Sequence, residues 1–121
     1  MRQCLVVDDS RVIRKVACNI LKMLGFDALE AEGGAAALDA CRVKMPDAIL
    51  LDLQMPCMSG VEFVRSLRRQ AGGDRPFIVL CTTENDVIRL TEALNAGADE
   101  YIMKPFDQET LAAKLALVKA A

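Results

Sequence analysis

Asp8-Asp9, Asp52, Thr82-Thr83 and Lys104 each follow directly on a short apolar run: Cys4–Val7, Ile49–Leu51, Phe77–Cys81 and Tyr101–Met103. Carboxylates gathered in one place repel each other and resist ionisation. The usual relief is a hard cation such as Mg²⁺, bound through one or two carboxylates together with phosphate oxygens and water. An ammonium nearby is a point charge for anionic oxygens. A hydroxyl can donate to a phosphoryl oxygen once its loop swings inward, and Thr83 competes with Thr82 for that part. Taken singly, each piece has a plainer reading. A strand-ending Asp caps the next helix, a Lys-Pro pair is a solvated turn, and a Thr after a strand bonds its own backbone. Their joint occurrence points to a metal ion and a phosphoryl group.

For these residues to meet, the runs must be parallel strands whose carboxyl ends share one edge, which is where open α/β sheets bind ligands. The rest of the chain supplies that arrangement. Strand and helix patterns alternate five times: strands at Arg2–Val7, Asp27–Ala31, Ala48–Leu51, Phe77–Cys81 and Glu100–Met103, and helices at Arg11–Leu24, Gly34–Met45, Gly60–Gln70, Asn85–Ala96 and from Asp107 almost to Ala121. Ser10 and Asp107 read as N-caps, Gly25 and Gly97 as stops, and Gly72–Pro76 as a turn. The first helix shows Val12, Ile13, Val16, Ile20, Leu21 and Leu24 at helical spacing, a stripe expected to be buried. The more polar second strand suits a sheet edge. Such alternation implies right-handed βαβ crossovers and an α/β fold, a doubly wound (βα)5 sheet covered on both faces. Pro105 leaves the Lys104–Pro105 bond open to either isomer.

At 121 residues the chain is one domain, residues 1–121, with room for a single good core. Hydrophobic residues at 53% and charged ones at 26% describe an ordinary globule, and no apolar stretch is long enough for a membrane span. A net charge of −2 and the lack of a basic cluster argue against direct nucleic-acid binding. Five widely spaced cysteines with no C-x-x-C pair read as reduced thiols in a cytoplasmic protein, only Cys57 falling in a surface loop. There is no histidine, which excludes a histidine-activated nucleophile, a histidine metal site and a phosphohistidine carrier.

The whole chain resembles the receiver domain of two-component response regulators, closest in layout to stand-alone receivers of the CheY type. The resemblance rests on Val6-Val7-Asp8-Asp9-Ser10, Leu51-Asp52-Leu53-Gln54-Met55-Pro56, Met58-Ser59-Gly60, Thr82, Gly97-Ala98 and Tyr101 through Pro105-Phe106. It implies the flavodoxin-like strand order 2-1-3-4-5. By the same resemblance, Asp52 accepts a phosphoryl group from the phosphohistidine of a sensor histidine kinase or phosphotransfer protein. Asp8, Asp9 and Asp52 hold Mg²⁺ together with the backbone carbonyl of Gln54. Lys104 pairs with phosphoryl oxygens, and Thr82 and Tyr101 move together as the switch. Phosphoryl transfer needs positioning and charge neutralisation more than proton transfer, and a carboxylate is a recognised nucleophile for it.

The implied domain is a signalling switch that catalyses only its own phosphorylation and dephosphorylation. Its output face would lie on the fourth helix, fifth strand and fifth helix, with Arg89, Leu90, Tyr101, Lys114 and Val118 as candidates. Core packing is the plainer reading for Leu90 and Val118. Arg65, Arg68 and Arg69 are expected to form a solvated face. Gln54 and Glu84 are expected near the pocket, and Thr83 could narrow its entrance.

With no effector sequence after the last helix, output is expected to pass to a separate partner, unless the receiver is excised from a longer regulator. A monomer or weak dimer is expected. A haloacid-dehalogenase-like phosphatase would need an acid two residues after its nucleophile, where Gln54 stands, and usually a cap domain. A flavodoxin-like FMN carrier would need a Ser/Thr/Gly-rich loop where Asp8-Asp9-Ser10 stands. A degenerate receiver acting only as a binding module would lack part of a site set that here looks complete.

Overall fold

The computed structural model describes residues 2–83 and 86–118. Its elements alternate as β1 Gln3–Val7, α1 Arg11–Met23, β2 Asp27–Ala31, α2 Gly34–Val43, β3 Ala48–Asp52, α3 Gly60–Arg69, β4 Phe77–Thr82, α4 Val87–Ala96, β5 Glu100–Met103 and α5 Gln108–Leu115. The strands form one sheet in the order β2-β1-β3-β4-β5, every pair parallel. The polar β2 is an edge, as its composition suggested.

Period-2 alternation splits the strands between two cores. Leu5, Val7, Ile49, Leu51, Ile78 and Leu80 face Ala37, Leu38 and Cys41 of α2, Phe63, Val64 and Leu67 of α3, and Ala93 of α4. Cys4, Val6, Ala48, Leu50, Val79, Cys81 and Ile102 face Ala17, Cys18 and Leu21 of α1 and Leu111 and Leu115 of α5. Because both faces of β1, β3 and β4 are covered, those strands read as continuous apolar runs.

The helix starts follow local chemistry. Ser10, Ser59 and Asp107 accept hydrogen bonds from the backbone amides of Ile13, Glu62 and Thr110, each satisfying a donor the helix leaves unpaired. Gly25 turns the chain after α1 at φ +89° and Gly97 does so after α4 at φ +126°, conformations that favour glycine.

Three expectations are corrected. The stripe on α1 is only half buried: Val12 and Val16 are 72% and 50% exposed, and Ala17 and Cys18 pack in their place. Small side chains let the helix sit close to β1 on a face rotated from the one that the larger residues marked. Arg68 is not part of a solvated face. It donates to the carbonyls of Gly97, Gly73 and Pro76 and pairs with Asp99, joining the end of α3 to the start of β4 and the α4–β5 turn. Arg65 and Arg69 are exposed as expected. Val118 is buried against the α1/α5 core and is no part of an exposed face. The starting residue expected for α4, Asn85, and the end expected for α5 lie outside the described residues.

Candidate functional site

The strand register brings the sequence candidates to one edge. Val7 pairs with Leu51, Asp52 with Cys81, and Thr82 with Met103, so Asp8, Asp52, Thr82 and Lys104 arrive side by side. Carboxylate oxygens of Asp8, Asp9 and Asp52 all lie within 4.8 Å of one another. Asp8 and Asp52 are buried, while Asp9 is exposed. Lys104 Nζ bridges the two buried acids, 3.0 Å from Asp8 Oδ2 and 3.2 Å from Asp52 Oδ1. Three oxygen donors of this kind fit a hard divalent cation.

Asp8 is held at every polar atom. Its amide donates to the Ala31 carbonyl at 3.2 Å, its carbonyl accepts from Arg14 Nη1 at 2.7 Å, and its Oδ1 accepts from the Ser10 amide at 2.9 Å. Asp52 Oδ1 accepts from the Gln54 amide at 3.1 Å as well as pairing with Lys104. Among the described residues no hydrogen bond reaches Asp52 Oδ2. Burial pushes the Asp52 carboxyl above its ordinary range, and the Gln54 amide and Lys104 only partly oppose this. For Lys104, burial works against the charged form, but the carboxylates of Asp8 and Asp52 outweigh it and hold the ammonium above its usual value.

Thr82 is buried beside this set but out of phase with it. It shares strand parity with Ile78 and Leu80, whereas Asp8, Asp52 and Lys104 share that of Val6, Leu50 and Ile102, on the α1/α5 side. Its hydroxyl donates to the Thr83 carbonyl at 3.2 Å. Thr83 itself is exposed. Tyr101 is turned outward, 39% exposed, with Lys114 Nζ 5.1 Å from its ring centre. The Gln54 side chain reaches across the mouth to Asp86, Nε2 to Oδ2, at 3.0 Å. Glu84 lies outside the described residues. The Lys104–Pro105 peptide is cis.

Sequence reasoning missed Arg14, Glu30 and Asp86. Arg14 Nε pairs with Glu30 Oε1 at 3.0 Å while its Nη1 holds Asp8. The available signal was positional: Arg14 lies one helical turn after the Ser10 cap, and Glu30 precedes the residue that ends β2. Beside the site, Val12, Ile13, Val16, Lys104, Pro105 and Phe106 line an open, largely apolar groove of about 280 Å³.

A doubly wound parallel sheet with three acids and a bridging lysine at its carboxyl edge defines a CheY-like receiver fold. The family model of the response regulator receiver domain matches residues 4–116, and the chain belongs to that family. It is 40% identical over 116 residues to the DNA-binding response regulator MtrA of Mycobacterium tuberculosis strain H37Rv, covering 95% of this chain and 50% of MtrA. The chain thus spans about half the length of the curated relatives it matches. Among solved structures, the chemotaxis response regulator CheY4 of Vibrio cholerae superposes with a TM-score of 0.91 at 34% identity, over 98% of this chain and 99% of CheY4. The receiver domain of sensor histidine kinase PA1611 from Pseudomonas aeruginosa, described with a magnesium ion coordinated in its active site cleft, gives a TM-score of 0.86 at 27% identity, covering 97% of each chain.

Proposed function

We propose that the chain is the phosphoacceptor switch of a two-component system, with Asp52 as acceptor. The observation that carries this reading is the asymmetry of Asp52: one oxygen is fixed by Lys104 and the Gln54 amide, and the other accepts no hydrogen bond from the described residues. In the proposed reaction Asp52 Oδ2 attacks the phosphorus of a phosphohistidine. The new O–P bond forms as the P–N bond breaks, and the imidazole nitrogen leaves with the electron pair. Lys104 neutralises a phosphoryl oxygen, and Asp8, Asp9, Asp52 and the Gln54 carbonyl would hold Mg²⁺. When bound, Mg²⁺ would offset the repulsion between the carboxylates and the incoming phosphoryl oxygens.

The donor is a sensor histidine kinase or phosphotransfer protein. The apolar groove beside Lys104, with exposed Val12 and Val16, suits docking of its helical surface next to Asp52. The phosphoryl group, itself carrying about −1.5 to −2 where the carboxylate carried −1, would draw the Thr82 hydroxyl from the Thr83 carbonyl. Tyr101 would follow, changing a face of α4, β5 and α5 that carries Arg89, Leu90 and Lys114 and is read by an effector. Leu90 also packs on the core, so its share in that face is partial. The domain's own catalysis is limited to gaining and losing its phosphoryl group.

A cytoplasmic setting fits the four buried free thiols, and no described helix is long and apolar enough to cross a membrane. DNA binding is named for MtrA; for this domain, with its net charge of −2, we propose no direct nucleic-acid contact.

The test is incubation with Mg²⁺ and acetyl phosphate followed by intact-mass measurement. Wild type is expected to gain one phosphoryl group and Asp52→Asn none. Equal gain in both proteins refutes Asp52 as the acceptor.

A further inference from the structure

The three acids differ in how they are held. Asp8 is tied at its amide, its carbonyl and both carboxylate oxygens. Asp9 is exposed, and among the described residues its carboxylate has no protein partner. The direction of Asp9 is therefore set by the backbone that carries it, which is the peptide joining it to Asp8. One guanidinium grips that peptide. Arg14 Nη1 donates to the Asp8 carbonyl at 2.7 Å, and Arg14 Nε is anchored on Glu30 Oε1 at 3.0 Å. The Arg14 side chain is only 13% exposed, whereas Lys15, which shares Glu30 through its other oxygen, is 59% exposed. The end of β2 thus holds the Asp8–Asp9 turn twice, through the Ala31 carbonyl and through the Glu30–Arg14 pair.

We propose that Arg14, anchored by Glu30, is a positioning residue for divalent-cation binding. Its two-pronged contact fixes the Asp8–Asp9 peptide and so aims the Asp9 carboxylate at the site shared with Asp8 and Asp52. This rests on the reading of those three residues as the Mg²⁺ ligands. Groups that orient metal ligands from behind typically change affinity by about 10- to 100-fold when removed.

The role can be separated from plain electrostatics by sign. Arg14 carries a positive charge close to an acidic site, so Coulomb's law alone says that removing it tightens cation binding. Loss of positioning weakens it.

The experiment is a titration of the full chain with MgCl2, without phosphodonor, followed by backbone amide shifts of Asp9 and Asp52 in ¹H–¹⁵N spectra. Arg14→Met keeps the apolar stem and is expected to bind about tenfold more weakly than wild type. Arg14→Lys keeps the charge but cannot span Glu30 and the Asp8 carbonyl with a planar fork; it is expected to weaken binding several-fold. It carries the test alone if Arg14→Met does not fold. Lys15→Met, which removes a neighbouring charge from the same Glu30, is expected to bind as tightly as wild type or more so. Wild-type affinity in Arg14→Lys, or wild-type or tighter binding in Arg14→Met, overturns the proposal. Absence of any Mg²⁺-dependent shift in wild type would instead overturn the metal reading beneath it.

Discussion

Lys104 bridges two buried acids, and replacing it tests whether the site is a cluster of repelling charges. Its Nζ lies 3.0 Å from Asp8 and 3.2 Å from Asp52. At an effective dielectric constant of about 20, each contact represents a gross attraction of about 5 kcal/mol. Desolvation of the ions offsets much of this, and removing one partner of a buried pair costs about 3–5 kcal/mol. The Lys104 side chain is 19% exposed, so Lys104→Met is expected near the lower end, about 2–4 kcal/mol. For a domain of this size that is a fall in Tm of about 10 °C. The sign with pH follows from the raised Lys104 value: its contribution is complete below the ordinary lysine range and fades as pH rises through the folded-state value, so neutral pH shows the full effect. The assay is thermal melting at neutral pH in EDTA and again in excess MgCl2. Mg²⁺ should recover more stability in Lys104→Met than in wild type, because the cation then meets two acids with no competing ammonium. A variant that melts at the wild-type temperature in EDTA would refute the reasoning.

Two further outcomes follow from the packing. Arg68→Ala removes hydrogen bonds to three carbonyls and the pairing with Asp99, whose carboxylate also accepts from the Ile78 amide; urea unfolding is expected to show a loss of about 2–3 kcal/mol, and a change within error of zero would return Arg68 to the solvated face. Of the five cysteines, only Cys57 is exposed, while burial pushes the Cys4 thiol up to about 12 and Cys41 up to about 11; a colorimetric disulfide reagent at neutral pH should titrate one thiol quickly and the others only on unfolding, and rapid reaction of two or more would contradict this core.

What the sequence made legible was whatever periodicity and strand ends can encode. The alternation of runs and helices anticipated all ten elements in order, although α5 ends at Leu115, short of its expected reach, and the polar residue closing each run marked Asp8, Asp52, Thr82 and Lys104. The failures share a cause. On α1, size and spacing point Val12 and Val16 inward, but Ala17 and Cys18 allow closer approach to the sheet and the larger residues are left outside. Arg68 could not be distinguished from Arg65 and Arg69 by type. Its role depends on carbonyls of Gly73, Pro76 and Gly97, which carry no side-chain signal. Glu30 and Arg14 carry only a positional signal, because they meet only when β2 packs beside β1 and α1.

Strand parity separates the residues of this edge into two sets. Asp8, Asp52 and Lys104 are in phase, so the sheet delivers acids and cation to the same side of its edge without distortion. Thr82 is one residue out of phase with Cys81, the partner of Asp52, and its hydroxyl rests on the Thr83 carbonyl. A strand cannot bring that hydroxyl to Asp52 by sliding, since a one-residue slip would turn every apolar side chain of β4 to the wrong core. On the proposed reading the Thr82 hydroxyl moves while β4 keeps its register. The in-phase residues of the edge would bind the phosphoryl group, and the Thr82 hydroxyl would leave the Thr83 carbonyl for a phosphoryl oxygen. On that reading the out-of-phase threonine links occupancy of Asp52 to the carboxyl end of β4, while the two alternating faces of the core anchor the strands behind it.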